Sequence, residues 1–201
     1  ELAKAASLAR CGAEVIGIGM YNVGFPLPDS KTKYGNCSVG YPFGAQVAEV
    51  EVDTTTGEVK VINFVAAQDV GKAINPMSVE GQIEGGIAQG IGYALMEEQI
   101  VVDGKIINPD WRDYKIPTSM DIPSVKVIIV ESYEPKGPFG AKGAGEPPLV
   151  STAPAIANAI FNAIGIRIKE LPITSEKILT ALKEKKEADV KGEEEKNCLG
   201  N

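Results

Sequence analysis

Apolar and polar positions alternate with period two over residues 45–52 (AQVAEVEV), break at DTTTGE, and alternate again in VKVINFVAA from Val59. That pattern predicts an antiparallel hairpin with one face turned to a core. After the loop GKAINP the period changes: Ile83, Ile87, Ile91 and Leu95 recur every four residues within 78–98, the signature of one buried helix face. The same helix carries Gly85, Gly86, Gly90 and Gly92. Each interior glycine costs about 1 kcal/mol relative to alanine, so this many predict a neighbouring backbone or a ligand that needs close approach.

Further along, IVVDGKII predicts a second hairpin turning at Asp103-Gly104, and VKVIIVES from Val125 predicts a buried strand. Between them DYKIPTSMDIP is a proline-marked loop. Residues 151–164 (STAPAIANAIFNAI) predict a helix opened by a Ser151 cap and closed by Gly165, followed by an extended piece, IRIKELPI, and a last helix over 174–182. At the amino end, residues 2–11 predict a helix ending at Gly12, residues 15–21 (VIGIGMY) a short strand, and residues 24–38 a long loop of the functional or interfacial kind. From Lys183 the chain mixes charges with few apolar anchors and is expected to be disordered. Hairpins interleave with helices rather than forming strict βαβ repeats, so the fold class is α+β, with a folded part over 1–182 and a charged tail over 183–201.

Composition narrows the function. The 201 residues are 44% hydrophobic and 23% charged, as expected of a globular chain with its own core. The net charge of −7 argues against sequence-independent nucleic-acid binding. There is no histidine, which excludes Ser-His-Asp and Cys-His catalysis and histidine-liganded zinc from this chain. Acid–base work therefore falls to carboxylates, Lys, Tyr or Cys. Cys11, Cys37 and Cys198 are too far apart for a CxxC pair or a disulfide framework, and no apolar run reaches the roughly 20 residues of a membrane span. A cytoplasmic, membrane-free protein is expected. The sequence starts at Glu1 without methionine, within a helical pattern, which points to a fragment or a processed chain.

The richest stretch is KGPFGAKGAGEPPLV, residues 136–150, where Gly137, Gly140, Gly143 and Gly145 surround Lys142. It lacks the GxxxxGK[ST] of a nucleotide P-loop but offers backbone N–H groups free to approach an anionic or polar ligand. Glu146 precedes Pro147, which biases it toward an extended backbone and a fixed carboxylate direction. A carboxyl group in a partly apolar site can act as a base near neutral pH, whereas a solvated glutamate beside a glycine turn is the alternative. Gln82, in GQIEGG, is the second candidate, because its amide both donates and accepts near a helix start; an exposed surface glutamine is its alternative. Glu84, Glu97 and Glu98 read as solvated positions, Asn36-Cys37-Ser38 as a chance glycosylation match, and Trp111 with Tyr114 as a substrate wall or simple packing.

Taken together, AQDVGKAINPMSVEGQIEGGIAQGIGYALMEE, DYKIPT and GAKGAGEPPLVSTAPAIANAI, in that order, resemble the carboxy-terminal part of the large subunit of the molybdenum hydroxylases, the xanthine dehydrogenase and aldehyde oxidoreductase family. The resemblance runs from about Gly44 to Leu182, with a looser match before it. It implies an oxidoreductase that hydroxylates an N-heterocycle, purine or aldehyde with water-derived oxygen. It also implies that Glu146 is the general base beside the molybdenum, taking the proton of a metal-bound water or hydroxide. Gln82 would hydrogen-bond near the pterin and molybdenum ligands, and Gly143, Ala144 and Gly145 would line the cofactor. No residue of this chain is implied as a metal ligand.

The implied cofactor is molybdenum-molybdopterin, bare or in a cytosine dinucleotide form, with iron-sulfur clusters and FAD on partner chains. The implied partners are the rest of the large subunit, an iron-sulfur subunit and a flavin subunit, in a hetero-oligomer or homodimer. Several hundred residues that precede this part in the family are not in the sequence, so a split subunit or a cut domain is expected. The competing reading is a non-catalytic assembly or interaction module that keeps the fold.

Overall fold

A computed structural model describes residues 4–5, 17–21, 24 and 27–199, with side chains described as far as Val190. The chain divides into two compact units, Glu1–Val39 and Gly40–Asn201, each taken by itself below.

In the first unit, Lys4 and Ala5 are helical and residues 17–21 have no regular structure. The rest of the helix expected over 2–11, its stop at Gly12, and the start of the strand expected at 15–21 lie outside the described residues. Within the long loop, the Asp29 carboxylate accepts the backbone N–H groups of Lys31 and Thr32 at 2.9 and 2.7 Å, which shapes a turn over Asp29–Tyr34.

The second unit is built on a three-stranded sheet in which the strand Val59–Asp69 lies between Gly44–Val52 and Ser124–Val130. Strands β1 (Gly44–Val52) and β2 (Val59–Asp69) form the expected hairpin, with a bulge at Glu49/Val50. Its turn is held by Asp53, whose side chain accepts the N–H groups of Thr55 and Thr56, and by Gly57 at φ +76°. A two-residue pair, β3 (Val101–Val102) and β4 (Lys105–Ile106), turns at Asp103 (φ 48°) and Gly104 (φ 75°). Positive φ at both central positions is what an Asp-Gly hairpin turn requires.

Strand β5 (Ser124–Val130) pairs parallel to β2. It alternates between half-buried positions that pack on the core and exposed ones, with Ile128 and Val130 both 43% exposed, so the buried strand expected from its apolar run is an edge strand buried on one face. The sheet has only three strands and β5 lies at its margin.

Helix α1 (Pro76–Leu95) begins with Asn75, whose side chain accepts the Ser78 N–H, and with Pro76 in the first turn. Its isoleucine stripe is the core: Ile83, Ile87 and Ile91 are buried with Phe64 and Val61 of β2 and with Ile156 and Ile160. A short helix α2 (Pro147–Val150) runs almost directly into α3 (Thr152–Ile164), which Gly165 closes in the left-handed conformation. The serine cap expected at Ser151 does not form. Ser151 already has helical angles and caps nothing, because α2 leads into α3 without the extended residue a cap needs.

Helix α4 (Ser175–Leu199) extends well past Leu182. Ile178 is buried, while residues 183–190 are exposed throughout, so the charged extension is helical without adding to the core. Its alternating acidic and basic residues favour a helix locally through pairs three and four apart. The architecture is mixed α+β, as expected.

Two glycines of α1, Gly86 and Gly90, are pressed by Pro148 and Thr152, while a third is open. A Cβ on Gly90 would lie 2.4 Å from Thr152 Cβ, and one on Gly86 would lie 2.9 Å from Pro148 Cβ, whereas Gly85 faces open space. Gly90→Ala is therefore expected to destabilise the fold by about 1–3 kcal/mol. Gly85→Ala is expected to stabilise it by up to about 1 kcal/mol. Denaturant midpoints of the two variants against the parent check both signs.

Candidate functional site

Close contact between α1 and the segment 146–152 brings Gln82 next to Gly145, the residue before Glu146. A Cβ built on Gly145 would have Gln82 Nε2 as its neighbour at 3.4 Å. Gln82 is exposed near the amino end of α1, and Glu146 is exposed where the glycine-rich loop enters α2. The Glu146 carboxylate takes part in no hydrogen bond or ion pair with the described residues. Its backbone is helical, at φ −92° and ψ −32°, so the extended conformation expected before proline is corrected. The start of α2 directly after it holds the angles there, and the Glu146 carbonyl accepts the Leu149 N–H.

Ahead of Glu146, the N–H groups of Gly143, Ala144, Gly145 and Glu146 find no partner among the described residues, although Lys142 N–H just before them donates to Val70 O at 2.8 Å. Four consecutive N–H groups without a partner, with the Gln82 amide next to Gly145, make this stretch rich in donors. Gly143 has nothing within 4 Å of its missing Cβ, so a ligand can reach the backbone. Ala144 and Gln82 also border a shallow cavity of about 180 Å³, together with Val70, Lys72, Asn75 and Lys142.

Both ends of this loop are pinned by residues that the sequence reading did not select. On one side Lys142 Nζ reaches Asp69 Oδ2 at 2.6 Å, with the two side chains only 9% and 7% exposed, and also donates to Tyr41 O at 3.1 Å. Asp69 Oδ1 accepts from Gly71 N–H and Ser132 Oγ. On the other side Gln46, from β1, donates to Pro148 O at 2.6 Å and accepts from Thr152 Oγ1 at 2.9 Å. The available signal was Lys142 as the lone cation inside the glycine cluster. Its partner lies 73 positions away and leaves no local mark. The start of α1 is tied down as well: Glu131 accepts the Ala73 N–H and pairs with Lys72 at 2.9 Å.

The remaining candidates lie elsewhere. Trp111 and Tyr114 stack edge to face at 6.4 Å, and the Tyr114 hydroxyl donates to Glu97 at 2.6 Å, beyond the carboxyl end of α1. That is roughly 20 Å along the helix from Gln82, so they form no wall to this site. Hydrogen bonding to Glu97 pushes the Tyr114 phenol above its ordinary range. Two larger cavities, of about 580 and 610 Å³, are lined by neither Gln82 nor Glu146. Among the described residues no cluster of acidic or cysteine side chains could hold a metal ion. None of their helices is long and apolar enough to cross a membrane.

A donor-rich loop backed by a glycine-faced helix has the chemistry to receive an anionic, acceptor-rich ligand. The sequence matches the molybdopterin cofactor-binding domain over residues 1–123, and the chain belongs to that family. Gln82 falls inside the matched span and Glu146 beyond it. The chain is 40% identical over 145 residues to a probable xanthine dehydrogenase subunit of Bacillus subtilis, covering 72% of this chain and 20% of that protein. It is 38% identical over 160 residues to the aldehyde oxidoreductase molybdenum-binding subunit PaoC of Escherichia coli, covering 77% of this chain and 22% of that subunit. Among solved structures, the aldehyde oxidoreductase of Desulfovibrio gigas superposes with a TM-score of 0.73 at 40% identity, over 79% of this chain and 17% of that one. The chain thus spans about a fifth of the length of the curated relatives it matches. It corresponds to part of the molybdenum-binding large subunits of the xanthine dehydrogenase and aldehyde oxidoreductase family.

The surface suits the cofactor that this family implies. Molybdopterin carries a phosphate and ring acceptors, and the free N–H run with the Gln82 amide supplies donors where the backbone can be approached closely.

Burial alone would raise the Asp69 carboxyl, but the Lys142 ammonium and the Gly71 and Ser132 donors together hold it below the usual carboxylate range. The stability it contributes is complete above the unfolded carboxylate range near pH 4 and is lost as pH falls through the lowered folded value. Asp69→Asn is expected to reduce stability at neutral pH by about 3 kcal/mol, because Lys142 is left buried without its counter-charge. The same variant is expected to flatten the acid limb. Urea midpoints measured at neutral pH and stepwise down to roughly pH 3 check both effects.

Proposed function

We propose that this chain is the cofactor-facing, base-supplying part of a molybdenum hydroxylase acting on an N-heterocycle, purine or aldehyde. The observation that carries the reading is the meeting of Gln82 with Gly145, at the free donor run leading into Glu146. When bound, the molybdenum cofactor supplies the oxidation–reduction chemistry. The chain's own residues orient and move protons. The N–H groups of 143–146 and the Gln82 amide donate to the cofactor's acceptors and fix its place. Glu146 takes up, on a carboxylate oxygen, the proton released as a water-derived oxygen adds to an electron-poor carbon of the substrate.

Glu146 is exposed in this chain and open to cover by the remainder of the large subunit. That remainder, an iron-sulfur subunit and a flavin subunit complete the proposed cytoplasmic assembly. A carboxylate without an internal partner, held beside a donor surface, favours this reading over a non-catalytic interaction module.

In the assembled holoenzyme, Glu146→Gln is expected to lower turnover by about 10²- to 10⁴-fold while molybdenum per assembly stays near the parent value. Steady-state kinetics and elemental analysis of the same preparation check this. Joint loss of metal and activity would remove the role of base and leave a structural one.

A further inference from the structure

We propose that Asp69 and Lys142 form a positioning pair that sets the glycine-rich loop, and with it Glu146, against the Gln82 end of α1. The proposal rests on the reading of Glu146 as the base and deepens it.

The four residues from Gly143 to Glu146 make no backbone hydrogen bond through their N–H groups. A segment without internal bonds takes its place from its anchors. Its carboxyl-terminal anchor is Pro147-Pro148, held by Gln46 at Pro148 O. Its amino-terminal anchor is Lys142, through Asp69 by its side chain and through Val70 by its N–H.

Three segments converge on the one Asp69 carboxylate: the loop leading to α1 through Gly71, the strand end after β5 through Ser132, and the glycine-rich loop through Lys142. The contact is tight enough to demand glycine. At Gly71, with φ +66°, a Cβ would lie 2.3 Å from Gly140 O, and Lys72 N–H donates to that same carbonyl at 2.8 Å. A buried ion pair is a weak source of net stability compared with apolar packing of the same volume, but it fixes direction sharply. Here the direction it fixes is that of the loop bearing the carboxylate.

The test uses the assembled enzyme with Lys142→Met, Lys142→Arg, Glu146→Gln and the double variant Lys142→Met/Glu146→Gln. Lys142→Met is expected to lower kcat about 100-fold, the scale of a base misplaced by about an ångström, with KM and molybdenum content near the parent values. Lys142→Arg is expected to recover much of that loss. The double variant is expected to be no slower than Glu146→Gln alone, because a residue acting through another adds nothing once the other is gone.

Amide hydrogen exchange, read without turnover, is expected to rise at Gly140, Ala141 and Lys142 of Lys142→Met, the loop amides that are bonded, and to stay unchanged in β2 and α1. Additive losses in the double variant, or unchanged exchange at those three amides, would overturn the proposal. Should Lys142→Met fail to assemble, Lys142→Gln, alone and with Glu146→Gln, decides it in the same way. If Glu146→Gln retained full turnover, the reading of Glu146 would fall, while loop exchange would still report whether the pair holds the loop.

Discussion

The structure depends on one close approach: α1 lies against the segment 146–152 at a distance that side chains beyond hydrogen would prevent. At Gly90 and Gly86 the space a Cβ would need is already taken by Thr152 and Pro148. An α1 with alanine at those positions would have to stand off, and Gln82, on the same helix, would move away from Gly145. The conformational cost of glycine inside a helix is offset by this contact and by the buried isoleucine stripe on the facing side. One helix thus serves two surfaces, a core on its isoleucine side and the donor-rich loop on its glycine side.

The loop itself shows how a segment can be held without internal bonding. The N–H groups of 143–146 have no partner among the described residues, so its geometry is supplied from outside, by Lys142 at one end and Gln46 at the other. Gln46 also accepts from Thr152 Oγ1, the group that crowds Gly90, so the polar anchor and the glycine contact meet at one residue. No buried side-chain polar atom among the described residues lacks a partner, as the low dielectric of such a network demands.

Much of this was legible in the chain. The β1–β2 hairpin, the Asp103-Gly104 turn, the Ile83-Ile87-Ile91 stripe and the Gly165 stop all follow from local periodicity or from residue-specific backbone freedom, and those signals lie within a few positions of one another. The motif order resembling a molybdenum hydroxylase large subunit was equally plain, because a run such as GAKGAGEPPLV carries identity without any fold being built. The expectations that failed had a common cause. The Ser151 cap, the extended Glu146 and the buried β5 were inferred from the nearest neighbours alone, whereas each was decided by an adjoining helix or by a position at the sheet margin.

The sequence by itself determined the periodic elements, the family resemblance and the prediction that something must press against the glycine face of α1, because these depend on short-range sterics and on residue order. Only the tertiary structure decided what does the pressing, that β5 pairs parallel to β2, that Gln82 adjoins Gly145, and that Asp69 finds Lys142 across 73 residues of chain. Non-local pairing is selected by how the whole core packs, and no window of sequence contains both partners.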